Sequence, residues 1–187
     1  MARIEDLAEI YGRHIGLPWQ RTVAGAQRAI MLVYDKELER TLRARIDVFE
    51  VATRRGSHGW RLVDITDSFA HWIAGDEYRE AYFESPEDLQ LKLEADFASD
   101  VASRIREALT ADGVDENTVV AVLGAGSLFG FTRVSQVLTL VEAEIRGRLL
   151  IFFPGDFENN TYRLLDAKDG WNYLATPITL HADGAAR

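Results

Sequence analysis

The chain of 187 residues contains no cysteine. Disulfides, Cys-ligated zinc, iron–sulfur clusters and a thiol nucleophile are therefore excluded. The absence suits a reducing compartment, and a cytoplasmic location is expected. Proline is scarce, at 4 residues, while 14 glycines and 47% hydrophobic residues are ordinary for a globular protein. No apolar run approaches the roughly 20 residues that span a bilayer. The N-terminal stretch MARIEDLAEIYGRHIG mixes charged and apolar residues, so it is not expected to be a signal peptide. No membrane association is expected. Positive charge is in deficit, with 21 Lys and Arg against 30 Asp and Glu, a net charge of −9. Tight nucleic-acid binding needs a cationic surface that releases counterions, and none is expected here. The densest basic cluster, Arg40, Arg43, Arg45, Arg54 and Arg55, is interleaved with Glu37, Glu39, Asp47 and Glu50. That mixture reads as a solvated helix face.

What is present is an alternation of short apolar runs with amphipathic segments. The length predicts one α/β domain over 1–187, with an N-terminal helix in 1–18 and a flexible tail at 181–187. Ile4, Leu7, Ile10, Tyr11 and Ile15 have helical spacing, and Gly16 and Pro18 end that helix. Strands are predicted at 28–34, 60–65, 118–123 and 149–153, with a last, edge strand at 173–179 because Pro177 interrupts it. Helices are predicted over 36–54, 67–74, 85–111 and 133–146. Ser85 and Pro86 mark the start of the third, followed by two acids that complement the helix dipole. Pro154-Gly155-Asp156 reads as a turn, and the residues after it as irregular or helical. No internal repeat or low-complexity segment is present. The pattern implies a three-layer, mostly parallel sheet with helices on both faces and right-handed crossovers.

In such sheets ligands sit at the carboxyl ends of strands. The predicted strand ends bring forward a candidate crevice of Asp35, Asp64, Gly124, Gly126, Ser127, Arg133, Pro154, Gly155 and Asp156. Three converging aspartates have the chemistry to hold Mg²⁺. Asp is also common where it caps the next helix, and that reading is preferred, so no metal is assigned. The loop LGAGSLFG lacks the Lys-Ser/Thr pair of a Walker loop. Gly124, Gly126 and Gly130 are spaced one residue too far for a dinucleotide fingerprint. Exposed N–H groups near Arg133 leave anion binding open, against the simpler reading of a tight turn. Ser127 is not in a nucleophile elbow. His14, His58, His71 and His181 form no ligand-spaced pair. No catalytic residue and no cofactor are assigned.

Several segments together resemble one family. The strand-and-loop GAGSLFGFTRVSQVL, the later FFPGDF, the upstream IMLVYDKELERTLRARI and WRLVDITDSF, and the distal TYRLLDAKDGWNYLATPI are similar to the BrxB family of bacteriophage-exclusion (BREX) systems, over about residues 28–180. The resemblance implies a small cytoplasmic defence component without established catalytic residues. It implies neighbours that include a PglZ-like phosphatase-fold protein, a BrxC-like ATPase and a PglX-like methyltransferase. A non-enzymatic adaptor or regulatory role follows as the expectation. The alternative is a nucleotide- or phosphate-binding protein with weak phosphohydrolase activity at the strand-end crevice, and a metal-dependent nuclease fold is a third reading. A partner surface is expected at Phe157, Tyr162, Arg163, Trp171 and Tyr173, with core closure by the same aromatics as the competing reading.

Overall fold

Alternate side chains of the apolar strands go to opposite faces of one sheet, and each face builds its own core. The computed structural model describes residues 4–168 and 170–180. Its strands are β1 (Ala29–Tyr34), β2 (Gly59–Asp64), β3 (Thr118–Leu123), β4 (Arg148–Glu158), β5 (Thr161–Leu164) and β6 (Thr176–Ile178). The order is β2-β3-β4-β1-β6, all parallel, with β5 added antiparallel to the end of β4. The helices are α1 (Ile4–Ile15), α2 (Glu39–Ala44), α3 (Asp47–Arg55), α4 (Ser68–Ala74), α5 (Arg79–Glu84), α6 (Gln90–Lys92), α7 (Ala98–Leu109) and α8 (Val134–Val141).

Every residue of β1 and β3 is buried, as expected of strands covered on both sides. Met31, Val33, Val120, Val122, Ile151 and Phe153 pack with α7 and α8. Ile30, Leu32, Val119, Ala121, Leu150 and Phe152 pack with α1, α2 and α3. The chain passes from β1 to the far edge at β2 over the α2–α3 face, then returns through β3 to β4 over the α4–α8 face. Direction and face reverse together, so all three crossovers share one hand. The three-layer α/β architecture is as read from the sequence, and the last strand does lie at an edge, against β1.

Four local expectations are corrected. Pro154-Gly155-Asp156 is not a turn: β4 runs straight through it to Glu158. Pairing with β3 runs as far as Ile151, and from Gly155 the strand is instead paired by β5. A proline without an N–H fits the strand between these two partners. The segment after it is a strand, β5, turned by Asn159 and Asn160, both with positive φ. That is the two-residue hairpin geometry that suits a twisted antiparallel pair.

The helix predicted over 36–54 breaks at Arg45 and Ile46. The break lets Phe49 sit edge-on to both Tyr11 and Phe152, while Arg45 reaches Glu5 at 2.6 Å. The helix predicted over 85–111 begins as a 3₁₀ turn at Pro86–Leu89 without a Ser85 side-chain cap, and widens to a π-turn at Leu93–Phe97. The spacing explains this. Leu89, Leu93, Phe97, Val101, Ile105 and Leu109 are all four apart and all buried. On a regular α-helix each such step drifts about 40° around the axis. The wider π-turn takes up part of that drift and keeps the six side chains on the core.

Candidate functional site

At the carboxyl end of the sheet the exits of β1 and β2 are tied together by side chains. Tyr34 donates its hydroxyl to Glu39 Oε2 at 2.5 Å, and Arg43 donates Nε to Glu39 Oε1 at 2.7 Å. Arg43 also donates to Thr66 Oγ1 at 2.8 Å and lies 3.5 Å from Asp64 Oδ2. Burial, then the hydrogen bond and charge of Glu39, push the Tyr34 hydroxyl pKa up, so this group is a fixed donor. Asp64 accepts from the Thr66 N–H at 2.9 Å, and Asp35 accepts from the Glu37 N–H at 2.9 Å. Both aspartates cap the turns that follow their strands.

The glycine loop is closed by packing. Gly124 has φ +97°, and a Cβ there would lie 2.5 Å from Thr66 Oγ1. Gly126 rests on the Pro154 ring, where a Cβ would come within 3.2 Å. Ser127 gives its hydroxyl to the Gly124 carbonyl at 2.8 Å, while its N–H bonds the same carbonyl at 3.0 Å. The loop thus spends the Ser127 donors on its own turn.

Of the nine crevice residues, Asp35, Gly155 and Asp156 line one small cavity of about 260 Å³, together with Tyr34, Phe157 and Glu158. Gly124, Gly126, Ser127 and Pro154 form the packed floor between β2 and β4. Asp64 sits with Arg43, and Arg133 is exposed in a separate shallow depression beside Gln90 and Glu94. The nine residues do not meet in one pocket. Among the described residues, no group of three or more His, Cys, Asp or Glu side chains is placed to hold a metal ion. His181 lies outside the described residues.

The aromatic residues expected on a partner surface pack on each other. Tyr162 is fully buried and donates its hydroxyl to the Ala175 carbonyl at 3.0 Å. Its ring lies 4.5 Å from Phe157, 5.2 Å from Trp171 and 5.8 Å from Phe153. Tyr173 donates to Glu142 Oε2 at 2.7 Å. Tyr162 is therefore a core residue. Arg163 is exposed beside it, and Phe157, Trp171 and Tyr173 are half-buried.

Three of the exposed large apolar side chains lie in a different segment, one that sequence reasoning passed over. Tyr78 is 59% exposed, Phe83 61% and Leu91 82%. They lie on α5, α6 and the turns beside them, where Lys92 bridges to Asp76 at 2.8 Å and lies over the Tyr82 ring. The missed signal was the run EYREAYFE, whose Tyr78 and Tyr82 share helical spacing while Phe83 faces away, and only Tyr82 of the three packs against the core.

The family model for BREX protein BrxB matches residues 68–178. No curated protein and no solved structure matches the chain. Among the described residues, no helix is long and apolar enough to cross a membrane.

Proposed function

The chain belongs to the BrxB family of BREX phage-defence components, and from that premise we propose that it is a non-enzymatic adaptor or regulatory subunit that works in the cytoplasm. The observation that supports this most is the exposed apolar set Tyr78, Phe83 and Leu91. Large apolar and aromatic side chains held out of a core are typical anchors of a protein–protein contact. All three fall inside the matched region. A secondary contact is proposed at the rim of Arg163, Trp171 and Leu174, the last of these 72% exposed. The partners proposed are the other BREX components: the PglZ-like phosphatase-fold protein, the BrxC-like ATPase and the PglX-like methyltransferase.

The small cavity is lined by three carboxylates, Asp35, Asp156 and Glu158, and their like charge opposes a phosphate substrate, which favours a binding role over phosphohydrolysis. The test is co-purification of the tagged chain with the three companion proteins expressed together. Retention of at least one companion, lost in the double substitution Phe83→Ser with Leu91→Ser at unchanged thermal stability, is the expected result. Retention that survives this pair rejects the segment. Nucleotide or DNA turnover that survives repurification and disappears in Asp35→Ala or Asp156→Ala rejects the non-enzymatic role.

A further inference from the structure

The amino ends of the parallel strands open on the opposite edge of the sheet, and positive charge collects there. Arg28 directly precedes β1, His58 precedes β2, and Arg146 and Arg148 flank the start of β4. With Trp19 and Arg21, from the segment after α1, they line a cleft of roughly 620 Å³. That is the size of a small-molecule site. The lining holds four arginines and one carboxylate, Glu116, which lies 3.6 Å from Arg146. Arg21, Arg28 and Arg148 have no carboxylate partner among the described residues.

What holds these arginines is neutral. Arg28 donates to the Ile145 carbonyl at 2.6 Å and the Arg21 carbonyl at 3.0 Å, and its Nε is buried without an acceptor. Arg148 donates to the carbonyls of Gly147 and Gln20, at 3.0 and 3.3 Å. These bonds position the guanidinium groups and leave their charge unbalanced. The wall of the cleft is built around Trp19. Its ring stacks on His58 at 3.8 Å, and the Arg148 guanidinium lies over it at 4.7 Å. His58 is engaged at both ring nitrogens, by Asn117 and the Ile15 carbonyl. Burial, then the neighbouring Arg28, lowers the Arg148 pKa, and burial, then Arg148, lowers that of His14. Uncompensated repulsion of this kind stands out in a chain of net charge −9.

We propose that this cleft binds a small, multiply charged phosphate anion of the pyrophosphate type, free or as the phosphate tail of a nucleotide, held by Arg21, Arg28 and Arg148. A side-chain carboxylate carries one charge and leaves two guanidinium groups unpaired, whereas a diphosphate matches all three. The guanidinium fork suits phosphate oxygens. Trp19 is already covered by His58 and Arg148, so recognition rests on charge and not on stacking a base. The site is independent of the adaptor role and lies at the other end of the sheet from the Asp35–Asp156 cavity.

The test is titration of the ¹⁵N-labelled full chain with pyrophosphate, following the Trp19 indole resonance, against potassium chloride of equal ionic strength. Saturable shifts are expected with pyrophosphate and with ATP, but not with adenosine. Arg148→Gln and Arg21→Gln are expected to weaken binding at least tenfold, and Arg40→Gln, exposed on α2 and outside the cleft, to leave it unchanged. The Arg21 side chain makes no hydrogen bond or ion pair among the described residues, so its variant reads binding even where Arg148→Gln disturbs the fold. Absence of saturation, shifts reproduced by potassium chloride, adenosine binding equal to ATP, or an unchanged affinity in Arg21→Gln overturns the proposal.

Discussion

Tyr162 and Gly155 show how much of this molecule turns on single positions. The Tyr162 hydroxyl reaches the Ala175 carbonyl from a fully buried ring. Tyr162→Phe removes that bond and is expected to cost about 1 kcal/mol, read as a fall of roughly 2–4 °C in Tm for a chain of this size. At Gly155 a Cβ would stand 2.0 Å from the Arg163 carbonyl oxygen. Gly155→Ala therefore forces β5 away from β4 and is expected to cost about 1–3 kcal/mol, measured by urea denaturation. His14 supplies a pH dependence. Its folded pKa is lowered from 6.5 by burial and then by Arg148, so the unfolded chain binds its proton first as pH falls. The native state binds fewer protons there, and the His14 contribution to stability is complete above about pH 6.5 and declines below it. Thermal melts at pH 7 and pH 5.5 should show that loss, and His14→Gln should reduce it. An equal loss in the variant assigns the effect to other groups.

At the scale of elements, the long parallel strands were readable because continuous apolar runs mark strands buried on both faces. β1 and β3 are of this kind. The extension of β4 was not readable from its Pro-Gly-Asp string, since those residues favour turns wherever no neighbouring chain pairs with them. β5 supplies that neighbour. Its four residues alternate, with Tyr162 and Leu164 buried and Arg163 exposed, but four positions are too few to separate a strand from a loop. The turn before it carried a clearer mark, because Asn tolerates the positive φ that Asn159 and Asn160 both adopt. Asn160→Ala is expected to cost about 1 kcal/mol, while Asn160→Gly should be neutral or stabilising. Paired urea denaturation curves distinguish the two, and equal costs would contradict the turn assignment. The opposite edge of the sheet was equally implied by the strand pattern. Arg28, Arg146 and Arg148 each stand at a strand start, and parallel strands bring all their starts to one side. The cationic cleft was therefore implicit in the same strand pattern that brings the carboxyl ends together.

On the scale of the whole molecule, the sheet separates two kinds of surface. Its carboxyl end is packed by the glycine loop on Pro154 and by the network from Tyr34 to Asp64, with the small Asp35–Asp156 cavity beside them. Its amino end is open and cationic. The exposed Tyr78, Phe83 and Leu91 lie on the helices and turns that lead from β2 to β3. The family was legible in the loop and strand motifs, which fall largely within the matched residues 68–178. The partner segment was not, because exposure of Phe83 and Leu91 follows from where α5 and α6 sit and not from their composition. The central claim is that this segment docks another BREX component. Amide hydrogen exchange of the chain, alone and in complex with whichever companion co-purifies, tests it most directly. Slowed exchange across residues 76–92 on complex formation is predicted, with the amides of β1 and β3 unchanged. A complex that forms with exchange at 76–92 unaltered would contradict it.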